Sequence, residues 1–190
     1  LSGVLTSRIK RQEMKIRVRE ERTNALYQLT RELSTANGIE EVISVAKKDI
    51  KKYFNLSSLI LLINDSNQLD YPSHKDKNIT LSKNDMSVAA WTFQHSTKAG
   101  KYTDTLPSAT YTFYPLKGNQ MNLGVIAIQK EIIFTQGDEQ FWNAFISQIS
   151  GKFEREYLLI MAKQTFLLNE SDTLYKTLFN SISHDLTIPV

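Results

Sequence analysis

Tyr111–Gln129 reads Y-T-F-Y-P-L-K-G-N-Q-M-N-L-G-V-I-A-I-Q, two apolar runs separated by Lys117 to Asn122, a loop that includes a glycine. This is the pattern of a β-hairpin. In the second run Leu123, Val125 and Ala127 fall on one face, and Gly124, Ile126 and Ile128 on the other. Pro115 has no N–H to give to a ladder, which places the first run at a sheet edge or a bulge.

Upstream, Ser82 followed by Asp85 has the spacing of a capping box, and Met86, Ala89, Ala90 and Phe93 supply the apolar face of a helix ending near His95. Ser57 to Ile63 is short, apolar and followed by Asn64-Asp65-Ser66-Asn67, so it reads as a central strand closed by a turn. Weaker strands are expected near Gln68 to Tyr71 and Asn78 to Leu81. A helix over Ile39 to Phe54 sets Val42, Ile43, Ala46 and Ile50 against Lys47, Lys48, Lys51 and Lys52. The first 36 residues fit one long helix, stopped by Asn37-Gly38, with a seam (Leu5, Ile9, Ile16, Leu26, Leu29, Leu33) that Gln12, Arg19 and Thr23 interrupt.

Downstream of the hairpin, Thr135 and Asp138 again mark a helix start. Phe141, Phe145, Ile149, Phe153, Tyr157, Ile160 and Leu167 then recur at helical intervals, too far along for a helix that serves only a small core. The expected class is α+β: an antiparallel sheet with helices packed on one side, and long first and last helices that run together as a dimeric bundle.

Composition narrows the chemistry. The 190 residues contain no cysteine, which removes thiol catalysis, a disulfide-stapled secreted fold and cysteine-ligated zinc. The apolar runs, Leu59 to Ile63 among them, are far short of the roughly 20 residues of a membrane span. No Gly-rich phosphate loop or nucleophile elbow occurs, and His74 and His95 have no metal-like spacing with other ligands. The net charge of +3 is unevenly placed: residues 1–22 carry seven basic and three acidic groups, and the rest of the chain is close to neutral. That basic segment suits a phosphate-bearing surface. Its broken seam does not suit a DNA-reading helix, so no nucleic-acid partner is expected.

The last stretch, Leu174 to Val190, reads L-Y-K-T-L-F-N-S-I-S-H-D-L-T-I-P-V. Leu174, Leu178 and Ile182 form one helical stripe. At about 100° per residue His184 lies about 200° from Ile182, on the opposite side. Asp185 can accept a proton from one ring nitrogen and leave the other as a nucleophile toward a phosphoryl group. Ser183, His184, Asp185, Leu186 and Pro189 resemble the phosphoacceptor box of sensor histidine kinases; Thr187, Ile188 and Val190 depart from it. The resemblance implies that His184 is the phosphoacceptor. The family's polar residue four places after the histidine is Ile188 here, so the resemblance supports the kinase role better than the phosphatase role.

Glu21 to Leu33, Gly100-Lys101-Tyr102-Thr103-Asp104-Thr105-Leu106-Pro107, Tyr114-Pro115-Leu116 and Leu123-Gly124-Val125 are similar, in this order, to the cytosolic sensor region of KdpD-type sensor kinases of bacterial potassium uptake. This resemblance implies a GAF-like domain between membrane helices and the phosphoacceptor helix, in a chain cut from a longer protein. It implies a basic juxtamembrane signalling helix over 1–37, a sensor core over 38–137, a C-terminal GAF helix and linker over 138–173, and the start of the dimerisation helix over 174–190. The implied partners are a second copy of the chain, the parent's ATP-binding kinase domain, a response regulator and an anionic membrane surface near residues 8–22. ATP and Mg²⁺ would serve the parent kinase, with no cofactor in these residues, on the cytoplasmic side of the inner membrane. GAF domains bind small molecules between sheet and helix, and the candidates are Trp91, Thr103, Asp104, Thr105, Tyr111, Phe113 and Tyr114, aromatic walls with a few polar groups. The alternative is a stand-alone GAF-type binding module without a kinase role.

Overall fold

A computed structural model of the protein describes residues 1–71 and 79–187, the last two without their side chains. His74, Asn78, Ile188, Pro189 and Val190 lie outside the described residues. The chain divides into two compact units, Leu1–Glu154 and Arg155–Val190.

The first unit holds helices α1 (Ser2–Thr35), α2 (Ile39–Phe54) and α3 (Lys83–His95), strands β1 (Ser57–Leu62), β2 (Ala99–Gly100), β3 (Thr112–Lys117) and β4 (Asn122–Gln129), and the opening of α4 (Gln136–Thr187). The four strands form one antiparallel sheet in the order β1-β4-β3-β2. The α+β class and the hairpin stand as expected, with Phe113 opposite Ala127 and Pro115 opposite Val125. Pro115 sits where β3, an inner strand, lacks a neighbour on one side, and the irregularity in register begins one residue beyond it. β2 pairs only with Thr112 and Phe113, so the outer side of β3 is unpaired at the proline, and the register shifts at Leu116/Lys117.

Three strand expectations are corrected. Ser57–Leu62 is an edge strand, paired on one side with β4, and the centre of the sheet is β3 and β4. Its apolar character comes from burial between helical layers, not from strands on both flanks. Gln68 to Tyr71 gives only an isolated bridge, Ile63 with Leu69, and Ile79 to Leu81 forms no strand.

The helices do not gather on one side. Leu59, Leu61, Phe113, Val125 and Ala127 pack with Val88 and Ala89 of α3. The opposite face carries Tyr114, whose ring lies 5.4 Å from that of Trp142 on α4. Both parities of β4 are apolar and buried from Leu123 to Ile128. A strand of that kind needs cover on both faces, so one helical layer could not have sufficed.

The side away from α3 is closed by aromatic packing. Phe54, at the end of α2, stacks on Phe141 at 4.8 Å and meets Trp142 and Phe145 edge-on at 5.0 and 5.1 Å. α1 contributes Ala25, Leu29 and Leu33 to the core. Arg22 ties it to the start of α4 through Asp138 at 2.7 Å. The helix starts obey their caps. Ser82 and Asp85 form a reciprocal capping box, and Thr135 with Asp138 does the same for α4.

The second unit is helical from Arg155 through Thr187. Along it Leu159, Leu167, Leu174, Leu178 and Ile182 are all more than half exposed.

Candidate functional site

In the second unit His184 stands outward, with both its side chain and that of Asp185 78% exposed. His184 Nδ1 lies 4.0 Å from Asp185 Oδ1, a separation that a small rotamer change brings into hydrogen-bond range. Nδ1 is therefore the nitrogen whose proton the carboxylate can hold, and Nε2 is the nitrogen left to react.

The seven candidate ligand residues are not one group. Tyr111 and Phe113 point to the α3 side and belong to its core, with Trp91 packed half-buried against them. Trp91 also stacks on His95, ring centroids 4.2 Å apart, while His95 Nδ1 lies 2.9 Å from the Trp91 carbonyl oxygen. Thr103 closes a tight turn: its hydroxyl lies 2.7 Å from the carbonyl oxygens of Gly100 and Thr105 and accepts from Thr105 N at 3.2 Å. Asp104, between them, is exposed. Tyr114 is one residue past Phe113 and so lies on the other face of the sheet.

On that other face the structure assembles a cluster that residue patterns did not disclose. Lys130 is 5% exposed, donates to the Tyr114 hydroxyl at 3.0 Å, and sits over the Phe134 ring at 4.1 Å. The Tyr114 hydroxyl donates to Glu139 Oε2 at 3.1 Å, and Lys98 donates to Glu139 Oε1 at 2.7 Å. Burial lowers the Lys130 ammonium to about 8, with Lys98 adding to the fall and Glu139 opposing it. Burial, then the Glu139 charge, pushes the Tyr114 phenol well above its ordinary value. Only the single apolar-run lysine at the end of β4 hinted at this.

A second unforeseen contact fixes the hairpin turn. The Glu154 carboxylate accepts from the backbone N–H groups of Gln120, Asn119 and Met121 at 2.7, 2.9 and 3.3 Å. Those bonds, led by Gln120 and Asn119, hold its acidity above the ordinary glutamate value. A Cβ at Gly118 would meet the same carboxylate, so a side chain there would have to displace Glu154 from the turn.

Among the described residues there is no helix long and apolar enough to cross a membrane and no group of three or more side chains suited to hold a metal ion.

No protein-family model matches the chain. It is 25% identical over 192 residues to the sensor protein KdpD of Escherichia coli (strain K12), covering 99% of this chain and 21% of that protein. It is 30% identical over 203 residues to the sensor protein KdpD of Clostridium acetobutylicum, covering 99% and 22%. The chain thus spans about a fifth of the length of these relatives. Among solved structures it is similar to the native GAF domain of the potassium sensor histidine kinase KdpD from Escherichia coli, with a TM-score of 0.64 and 22% identity over 73% of this chain and 96% of that one. The GAF domain of an Acinetobacter phosphoenolpyruvate-protein phosphotransferase follows at a TM-score of 0.55 and 13% identity, covering 73% and 96%. The chain has a GAF-like fold and matches the KdpD sensor proteins along nearly its whole length.

Proposed function

We propose that this chain is the sensory and signal-transmitting portion of a two-component sensor histidine kinase, responsive to potassium or osmotic stress, with His184 as its autophosphorylated residue. The observation that carries the reading is the similarity to KdpD over 99% of the chain, joined to an outward His184 beside Asp185. Potassium enters through the solved KdpD domain, which is described as that of a potassium sensor.

In this reading the Nε2 lone pair attacks the γ-phosphorus of ATP as the bond to the bridging oxygen breaks and ADP leaves. Asp185 takes the Nδ1 proton, so the phosphorylated ring is left uncharged at that nitrogen. ATP and Mg²⁺ come with the parent's ATP-binding domain, and the phosphoryl group passes on to a response regulator. A homodimer is supported by the stripe of Leu174, Leu178 and Ile182, which a single chain leaves exposed. Residues 8–22 would face anionic head groups at the cytoplasmic side of the inner membrane, each cation worth about 1 kcal/mol near the surface. The division of labour follows the expected segments: 1–37 as juxtamembrane helix, 38–137 as sensor core, 138–173 as linker and 174–190 as the start of the phosphoacceptor helix. Whether Trp91, Thr103, Asp104, Thr105, Tyr111 and Phe113 contact a stimulus is tested by titrating candidate metabolites against variants on the α3 side.

The decisive experiment adds the separately expressed ATPase domain and labelled ATP to a chain extended through the rest of the phosphoacceptor bundle. Label should appear in the parent sequence and vanish in His184→Gln. Label retained by that variant overturns the assignment.

A further inference from the structure

We propose that Glu154 is the positioning residue that couples the sensor domain to the phosphoacceptor helix: its grip on the β3–β4 turn passes movement of α3 and the sheet into α4. The proposal rests on the kinase reading for its output and on this chain's own contacts for its path. α4 is one helix from Gln136 to Thr187, so it carries both Glu154 and His184. Glu154 is the last residue of the first unit.

The turn meets α4 through one carboxylate. Glu154 is buried, and its two oxygens accept the N–H groups of three consecutive residues, Asn119, Gln120 and Met121. Bonds to a charged acceptor are roughly twice as strong as neutral ones and depend steeply on angle and distance. They therefore fix the rotation and the axial position of the helix together. Ile149 and Phe153 are buried close by, but apolar packing has no direction and tolerates a small sliding step.

The next residue along the turn reaches the other way. The Asn122 amide donates to Ser96 Oγ at 2.9 Å and to the Phe93 carbonyl oxygen at 3.4 Å, at the C-terminal end of α3. α3 packs into the cluster that holds Tyr111 and Phe113, two of the candidate ligand residues. Met121 and Asn122 thus tie α4 and α3 to a single turn, which the Gly118 N–H closes on the Met121 carbonyl oxygen at 2.9 Å. A separate clasp, Glu139 with Lys98 and Tyr114, seats the head of α4. Release of Glu154 would leave that end in place and free only the end that leads toward His184.

The test is the labelling rate of His184 in the full-length parent kinase, compared among the parent, Asn122→Ala, Glu154→Gln and the double variant, with circular dichroism to confirm folding. Each single change should alter the rate about fivefold, and the pair by no more than the larger single change, because both cut one path. Single changes without effect, or effects that multiply, overturn the coupling. Ser96→Ala removes the acceptor of Asn122 and replaces Asn122→Ala if that variant does not fold; Glu154→Asp, too short by one methylene, does the same for Glu154→Gln. A second readout needs no kinase activity. In the 190-residue chain, Asn122→Ala should speed amide exchange at Gly151 to Glu154 about threefold. Unchanged exchange there overturns the path through the turn. A parent that takes no label refutes the kinase reading instead, and the exchange measurement alone then decides whether the turn grips the helix.

Discussion

The ammonium of Lys130 donates to the phenol of Tyr114 at 3.0 Å, beneath the sheet and against the Phe134 ring. Both residues are buried, so the ammonium is held at a desolvation cost and not in water.

That burial has a pH signature. Burial lowers the folded Lys130 to about 8, against an ordinary value of 10.5. Between those values the unfolded chain holds a proton that the folded one has released, so stability rises with pH through that window. The gain stops near 10, where unfolded tyrosine ionises but the raised Tyr114 does not. Lys130→Met should therefore stabilise the protein by about 2 kcal/mol near pH 7 and flatten the rise, as read from denaturant melts at several pH values.

Glu154 should show the opposite acid dependence. Its folded value is lowered, first by the Gln120 and Asn119 N–H groups, so its contribution is present above the ordinary glutamate range and is lost as pH falls through the depressed value. Glu154→Gln should remove that acid dependence and speed hydrogen exchange at Asn119, Gln120 and Met121, with amides of β1 unchanged.

Asp49 on α2 is fully buried, and neither carboxylate oxygen has a hydrogen-bond partner among the described residues. Burial, aided by the Glu32 charge, raises its value, while Lys48 at 3.6 Å and Lys52 oppose the rise. An acid raised on folding stabilises at low pH and loses that contribution as pH climbs through its folded value. Asp49→Asn should raise the neutral-pH thermal midpoint, corresponding to about 1 kcal/mol, and abolish the fall.

Gly124, in the middle of β4, has φ +155°, and a Cβ there would overlap the Leu61 carbonyl oxygen. Gly124→Ala forces β1 and β4 apart, so a loss of about 3 kcal/mol or more is expected in equilibrium unfolding.

What was legible in the residues was local. The Ser82–Asp85 and Thr135–Asp138 boxes and the hairpin each depend on neighbours within a few positions, and all three are found. β2 escaped notice because a two-residue strand has no period. Grouping Phe113 with Tyr114 ignored the alternation of strand side chains, which alone separates them. The apolar character of both faces of Leu123–Ile128 already asked for helices on both sides, and the expectation of one side overlooked it. The grip of Glu154 on Asn119–Met121 spans more than thirty residues, and no spacing rule reaches that far.

Every residue of α1 before Arg22 is exposed, and the first one buried is Ala25. The opening turns of that helix thus add almost nothing to the free energy of the domain's interior. Their charges can be rewritten, swapped for those of another input segment or varied among descendants at little thermodynamic penalty, a freedom that the buried sheet residues lack.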